Sequence, residues 1–344
     1  MSIISVSGVT KIYRQYRRFP GIIGSVRSLF TRQYSEEIAV KDITFSIEKG
    51  EAVGYLGPNG AGKSTMIKMM TGILLPSAGE VRVLNEIPHK ARKNNSQHLG
   101  VVFGQRSQLW WDLPVTDSFE LHKYIYKISD ESYRKNLGFC TELLSLSDFI
   151  NKPVRQLSLG QRMRVEIAMA LLHEPEILFL DEPTIGLDVM AKDQIRQFLR
   201  AVNQEKKTTI LLTTHDMKDI EEICPRMIIV NKGSLVYDGS VAALRSKLGD
   251  ERRVVIEFAQ DPGSIEISGL TLIKEEGSRK TFLFTRNGTT VFDYVSRIAE
   301  KYPIEDVSIE DVDIESIIRR LYKQLAAEDE ESQGRQPILV GGAN

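Results

Sequence analysis

Short apolar runs alternate with amphipathic stretches along most of the chain, and their periods predict its elements. Residues 3–9 alternate weakly and read as a strand. Residues 40–47 set Lys41, Ile43, Phe45 and Ile47 against Val40, Asp42, Thr44 and Ser46, the pattern of a strand with one apolar face. Lys49-Gly50 turns the chain into 51–56, a short buried strand, and 65–70 has helical character. A turn at 76–79 leads to a strand at 80–84, and 99–103 is an apolar run ending in Gly104-Gln105. Helical spacing occupies 116–128, 131–144 and 162–173. Residues 177–180 form a core strand with Asp181 and Glu182 at its carboxyl end, followed by a helix over 191–203, a strand over 208–213 and a hairpin over 227–237. Strands alternating with helices predict an α/β fold on a mainly parallel sheet, whose ligands bind beyond the carboxyl ends of its strands.

The pattern changes after residue 249. Strands over 253–258, 270–274, 281–285 and 303–309, with helices over 290–301 and 314–325, predict a small α+β domain at 250–325. The stretch 326–344, acidic and then rich in glycine, predicts a disordered tail. Near the other end, 14–32 carries Arg14, Arg17, Arg18, Arg27 and Arg32 with no acid. Within it Ile22, Ile23, Val26, Leu29 and Phe30 fall at helical spacing. That predicts a basic amphipathic helix, which can lie on an anionic membrane or pack on its own domain or a partner protein.

At 344 residues the chain has room for two domains, and a composition 42% hydrophobic and 26% charged is that of an ordinary globular protein. A formal net charge of −1 argues against a nucleic-acid partner, which calls for a basic excess. Cys140 and Cys224 lie far apart with no second thiol or histidine cluster nearby, so buried thiols in a reducing compartment are expected. No secretion signal is read at the start, and no run approaches the ~20 apolar residues that span a bilayer. A role at a membrane is therefore expected through a partner or the surface.

The first chemical signal is Gly57-Pro58-Asn59-Gly60-Ala61-Gly62-Lys63-Ser64-Thr65, a match to G-x-x-x-x-G-K-[ST] between a predicted strand and a predicted helix. Its glycines let successive backbone N–H groups converge on a polyphosphate, and the helix start that follows faces the same anion. Lys63 supplies a point charge at the β- and γ-phosphates, and the Ser64 hydroxyl is placed for a Mg²⁺ shell. Asp181, ending its strand, can hold Mg²⁺ opposite Ser64, and Glu182 can activate a water.

With Pro183-Thr184-Ile185-Gly186-Leu187-Asp188 continuing that pattern, residues 3–249 resemble the nucleotide-binding subunit of ABC transporters. Leu157-Ser158-Leu159-Gly160-Gln161 resembles the family's signature, with Leu159 where glycine is commoner. By the same resemblance Gln105 senses the metal and γ-phosphate, Asp188 crosses between subunits, His215 contacts the γ-phosphate and Tyr13 stacks on adenine. Ser158, Gly160 and Gln161 would then form the second half of an ATP site completed head to tail by another subunit.

The resemblance implies an ABC-type P-loop fold with a mainly parallel core sheet, an antiparallel β subdomain and a helical subdomain at about 106–172. It leaves an insertion at about 14–37, and the accessory domain after 249. It also implies an ATPase with ATP and Mg²⁺, peripheral on the cytoplasmic face of the cell membrane, energising integral membrane permease subunits. Lys63, Ser158, Glu182 and His215 all occur in this chain, which favours a homodimer. Gly104-Gln105-Arg106-Ser107-Gln108-Leu109-Trp110-Trp111-Asp112-Leu113-Pro114 and the stretch 313–322 resemble ATPases of ABC-2-type exporters of drugs and polysaccharides, and Trp110-Trp111 the segment that touches the membrane partner. The alternative is a permease-independent ABC ATPase acting on ribosomes or nucleic acid.

Overall fold

Alternation folds the start of the chain into an antiparallel sheet. β1 (Ser2–Tyr16) pairs with β2 (Tyr34–Glu48) on one side and with β4 (Ala78–Val83) on the other. The computed structural model describes residues 2–16, 34–104, 107–248, 251–265, 267–285, 291–311 and 314–334. The helix expected within 22–30 lies outside them. Its flanks are strand, since β1 and β2 stay paired out to Tyr16 and Tyr34, well past the expected ends. Val40 corrects the predicted face. The register shifts between Val9 and Lys11, opposite Asp42 in the left-handed region (φ 47°), and Val40 is fully buried with Ile43 and Ile47.

The second sheet carries the chemistry. It contains β3 (Ala52–Leu56), β5 (Leu99–Phe103), β6 (Ile177–Asp181), β7 (Thr209–Thr213), β8 (Arg226–Asn231) and β9 (Ser234–Ser240) in the order β5-β6-β7-β3-β8-β9. All pairs are parallel except β8 with β9. Continuous apolar runs suit parallel strands covered on both faces, and Ile177, Leu178, Phe179 and Leu180 have no solvent exposure. Each such side chain contributes ~1.5–3 kcal/mol of burial. Apolar packing therefore outweighs any single polar contact in fixing Asp181.

Helix α1 (Lys63–Met70) follows β3, and α2 (Arg92–Ser96) precedes β5. Helices α3 (Val115–Tyr126), α4 (Asp130–Leu143) and α5 (Leu159–Leu171) fill the expected helical subdomain, and α6 (Val189–Lys206) and α7 (Met217–Ile223) complete this part. α5 begins at Leu159, not near Arg162, because Ser158 and Gln161 make a capping box: Gln161 N donates to Ser158 Oγ (3.2 Å) and Ser158 N to Gln161 Oε1 (3.0 Å).

The chain divides into two compact units, Met1–Ser240 and Val241–Asn344, so the division precedes the composition change at 249. The second unit holds α8 (Val241–Leu248), β10 (Glu251–Phe258), β11 (Leu270–Glu276), β12 (Arg279–Thr285), α9 (Val291–Ala299), β13 (Ile304–Asp311) and α10 (Ile314–Gly334). Its antiparallel sheet has the order β11-β12-β10-β13 and a core of Val254, Ile256, Phe258, Phe282, Phe284 and Ile298. α10 runs through 326–334, where a disordered tail was expected, and the remainder of that tail lies outside the described residues.

Candidate functional site

The loop between β3 and α1 is shaped by close backbone approaches. A Cβ at Gly57 would stand 2.6 Å from the Val230 carbonyl oxygen, and one at Gly62 (φ 96°) 2.3 Å from that of Ala39. Only glycine fits either place. Pro58, Asn59 and Gly60 form the exposed rim, while Ala61 is buried beneath it. Gly62 caps α1, so the free N–H groups of its first turn, at Lys63, Ser64 and Thr65, face the loop. The Lys63 ammonium donates to Gly57 O (2.7 Å) and Pro58 O (3.2 Å). Burial lowers its pKa, and the charges of Glu182 and Asp181 act in the opposite direction. Tyr13 stands beside the loop, its hydroxyl 3.4 Å from Thr65 Oγ1 and its ring 5.4 Å from the Lys11 ammonium.

The two acids emerge where β6 ends. Thr213 Oγ1 donates to Asp181 Oδ1 (2.6 Å), and Glu182 N donates to Thr213 O (3.0 Å). Glu182 lies in the left-handed region (φ 56°), a strained conformation for a side chain of its length that neighbouring contacts enforce. Gly104 N donates to Asp181 O (2.9 Å), and a Cβ at Gly104 would lie 2.8 Å from the carbonyl oxygens of Asp181 and Glu182. His215 follows β7 at the neighbouring strand end, its Nδ1 3.3 Å from Glu182 Oε1. Gln105 lies outside the described residues.

Metal chemistry fits the donors. Ser64 and Asp181 offer hard oxygens, and among the described residues no group of three or more His, Cys, Asp or Glu side chains gathers into a cage. One carboxylate, one hydroxyl and substrate phosphates are a common set for Mg²⁺.

Ser158, Gly160, Gln161 and Asp188 gather elsewhere, at two helix N-termini in contact. Asp188 caps α6, its Oδ1 accepting from Ala191 N (2.8 Å), and a Cβ at Gly160 would lie 3.1 Å from that of Ala191. The Ser158 hydroxyl accepts in its capping box, which leaves its proton to donate. Leu159, where the resembled signature more often has glycine, occupies the first turn of α5 and is not among the residues with positive φ, so the position does not call for glycine's freedom. Around these ends Leu159, Ile185, Val189 and Met190 are exposed.

Several polar residues were missed in the sequence. Glu166 on α5 is buried and accepts from the Ser107 hydroxyl and from Gln108 N (3.1 Å), just beyond Gln105. Burial pushes its carboxyl pKa up, against those donors. The Arg162 guanidinium lies 5.8 Å from the Trp111 ring, so α5 also touches the exposed Trp110-Trp111 segment. Arg196 on α6 is 2% exposed and ties together Asp219 (2.6 Å), Asp193 (2.7 Å) and Asp216 (3.2 Å). Burial opposes its charge, and these carboxylates outweigh that cost. Arg196→Met should destabilise the chain by about 3–5 kcal/mol, because breaking a buried pair strands the other charge. The check is the urea midpoint, which should fall at unchanged slope.

Residues 40–185 match the family model described as ABC transporter. The chain is 34% identical over 206 residues to the ABC transporter ATP-binding protein NatA of Bacillus subtilis, covering 60% of this chain and 83% of that protein. It is 30% identical over 271 residues to the cholesterol transporter ABCA5 of Rattus norvegicus, covering 79% of this chain but 16% of that much longer protein. The dimeric post-hydrolysis structure of the ATP-binding cassette MJ0796 with ADP and Pi superposes with a TM-score of 0.58 at 29% identity. That match covers 69% of this chain and 98% of the cassette.

Proposed function

The chain belongs to the ABC transporter ATP-binding family and is an ATPase, and from that premise we propose that it energises a separate membrane permease, in the direction of export. The convergence of Lys63, Asp181, Glu182 and His215 at neighbouring strand ends carries the reading, with Glu182 Oε1 3.3 Å from His215 Nδ1 and both acids acting on the Lys63 charge.

In this reading, Lys63 and the N–H groups of the loop hold the β- and γ-phosphates of ATP, and Tyr13 stacks on the adenine. Ser64 and Asp181 hold Mg²⁺, which when bound draws charge from the phosphate oxygens. Glu182 takes the proton from the attacking water, and His215 donates toward the γ-phosphate. Gln105 would report on the same phosphate. The helix ends at Ser158 and Asp188 meet a second copy, so that Ser158, Gly160 and Gln161 close its ATP from the far side. The exposed Leu159, Ile185, Val189 and Met190 beside them suit burial in that pairing.

No helix among the described residues is long and apolar enough to cross a membrane; in this reading the chain sits beside an integral permease. Exposed Trp110 and Trp111 are suited to contact it. The export direction rests on the likeness of residues 104–114 and 313–322 to ABC-2-type exporter ATPases. Purification from detergent-solubilised membranes tests the assignment. A polytopic membrane protein should co-purify with the chain, and recovery with ribosomes or nucleic acid would overturn the permease reading.

A further inference from the structure

We propose that Asp219 is a positioning residue that sets the separation of Glu182 and His215. The inference rests on the reading of those two residues as the hydrolytic pair. Asp219, on α7, has no solvent exposure, and one of its oxygens serves both segments. Its Oδ2 accepts from the Thr184 hydroxyl (2.5 Å) and from the Thr214 hydroxyl (2.9 Å). Thr184 stands two residues beyond Glu182, and Thr214 one residue before His215. Two loops from different strand ends are thus tied to a single atom, each within one or two residues of its functional side chain.

The remaining contacts make that atom a fixed point. Asp219 Oδ1 accepts from Arg196 Nε (2.6 Å), which anchors α7 to α6. The Thr214 hydroxyl also accepts from Asp216 N (3.0 Å), so it braces the chain on both sides of His215. On the other loop, Ile185 N donates to Glu182 O (3.4 Å), closing the turn that contains Thr184. Because Glu182 sits at a strained φ, its turn needs such external support. Valine has the shape of threonine without the hydroxyl. It would release one loop from Asp219 and leave the packing in place.

Thr184→Val and Thr214→Val should each lower kcat for ATP by about 10- to 100-fold while KM stays within about 2-fold, the pattern of misplaced groups with intact binding. Thr184→Ser and Thr214→Ser keep the hydroxyl and should restore kcat to within about 2-fold of wild type. The double valine variant should be little worse than either single one, since both release the same separation. Phosphate release by the full-length chain, with the melting temperature of each variant, reads these out. Valine variants with wild-type kcat would overturn the proposal. So would valine variants that lose stability and KM in step with kcat and are not restored by serine. Glu182→Gln with wild-type turnover would instead overturn the underlying reading, whatever the threonine variants do.

Discussion

ATP turnover falls by about 10²- to 10⁴-fold in Glu182→Gln, the range of a positioned general base, while ATP binding is kept. The amide has nearly the shape of the carboxylate and can still meet His215 Nδ1, 3.3 Å away, so the strand ends should keep their arrangement. What it lacks is basicity. Lys63 and the loop N–H groups are untouched. One negative charge that acts on Lys63 is removed, so affinity for a polyanion should hold or rise. Bound but uncleaved, the γ-phosphate should keep two copies paired through Ser158 and Gly160, and the variant should elute as a dimer from size exclusion in ATP. Turnover at the wild-type rate, measured as phosphate release, would remove Glu182 from the role of base.

Local patterns were readable where one segment decides its own conformation. The loop at 57–65 could be placed because its glycines, lysine and hydroxyls are contiguous, and the buried strands because parallel strands are apolar throughout. The start of α5 was misplaced although its signal was present: Ser158 followed three residues later by Gln161 is a capping box. The extension of β1 and β2 depended on partners that a linear reading does not pair. Arg14 meets Glu36 (3.0 Å) and its guanidinium stands 5.0 Å from the Tyr34 ring, joining polar residues on either side of a long connection. The support of the site was hidden for the same reason. Thr184 and Asp219 are 35 positions apart, and Glu166 and Ser107 are 59 apart. Each resembles an ordinary surface polar residue until the fold brings it against its partner. The chemistry of the site was therefore legible in contiguous motifs, while the parts that hold it in place became visible only in three dimensions.

That division bears on Lys63, whose own motif names it but whose neighbours set the size of its effect. Lys63→Ala should weaken ATP binding by about 10- to 100-fold, since a hydrogen bond to a charged group contributes ~1.5–3 kcal/mol and about 1.4 kcal/mol is tenfold. The loss should lean toward the upper end, because the variant removes the cation on which, of the two acids, Glu182 acts more strongly and leaves that carboxylate near the phosphates with one positive charge fewer. Adding salt should therefore narrow the gap between variant and wild type, as screening weakens both the attraction to Lys63 and the repulsion from the acids. Folding should suffer little, since the ammonium's own partners, Gly57 O and Pro58 O, belong to the loop at the site's edge. Equilibrium binding by calorimetry at two ionic strengths tests both statements. A variant that binds ATP with wild-type Kd would mean that the loop N–H groups alone hold the phosphates, and Lys63 would then lose its place in ground-state binding.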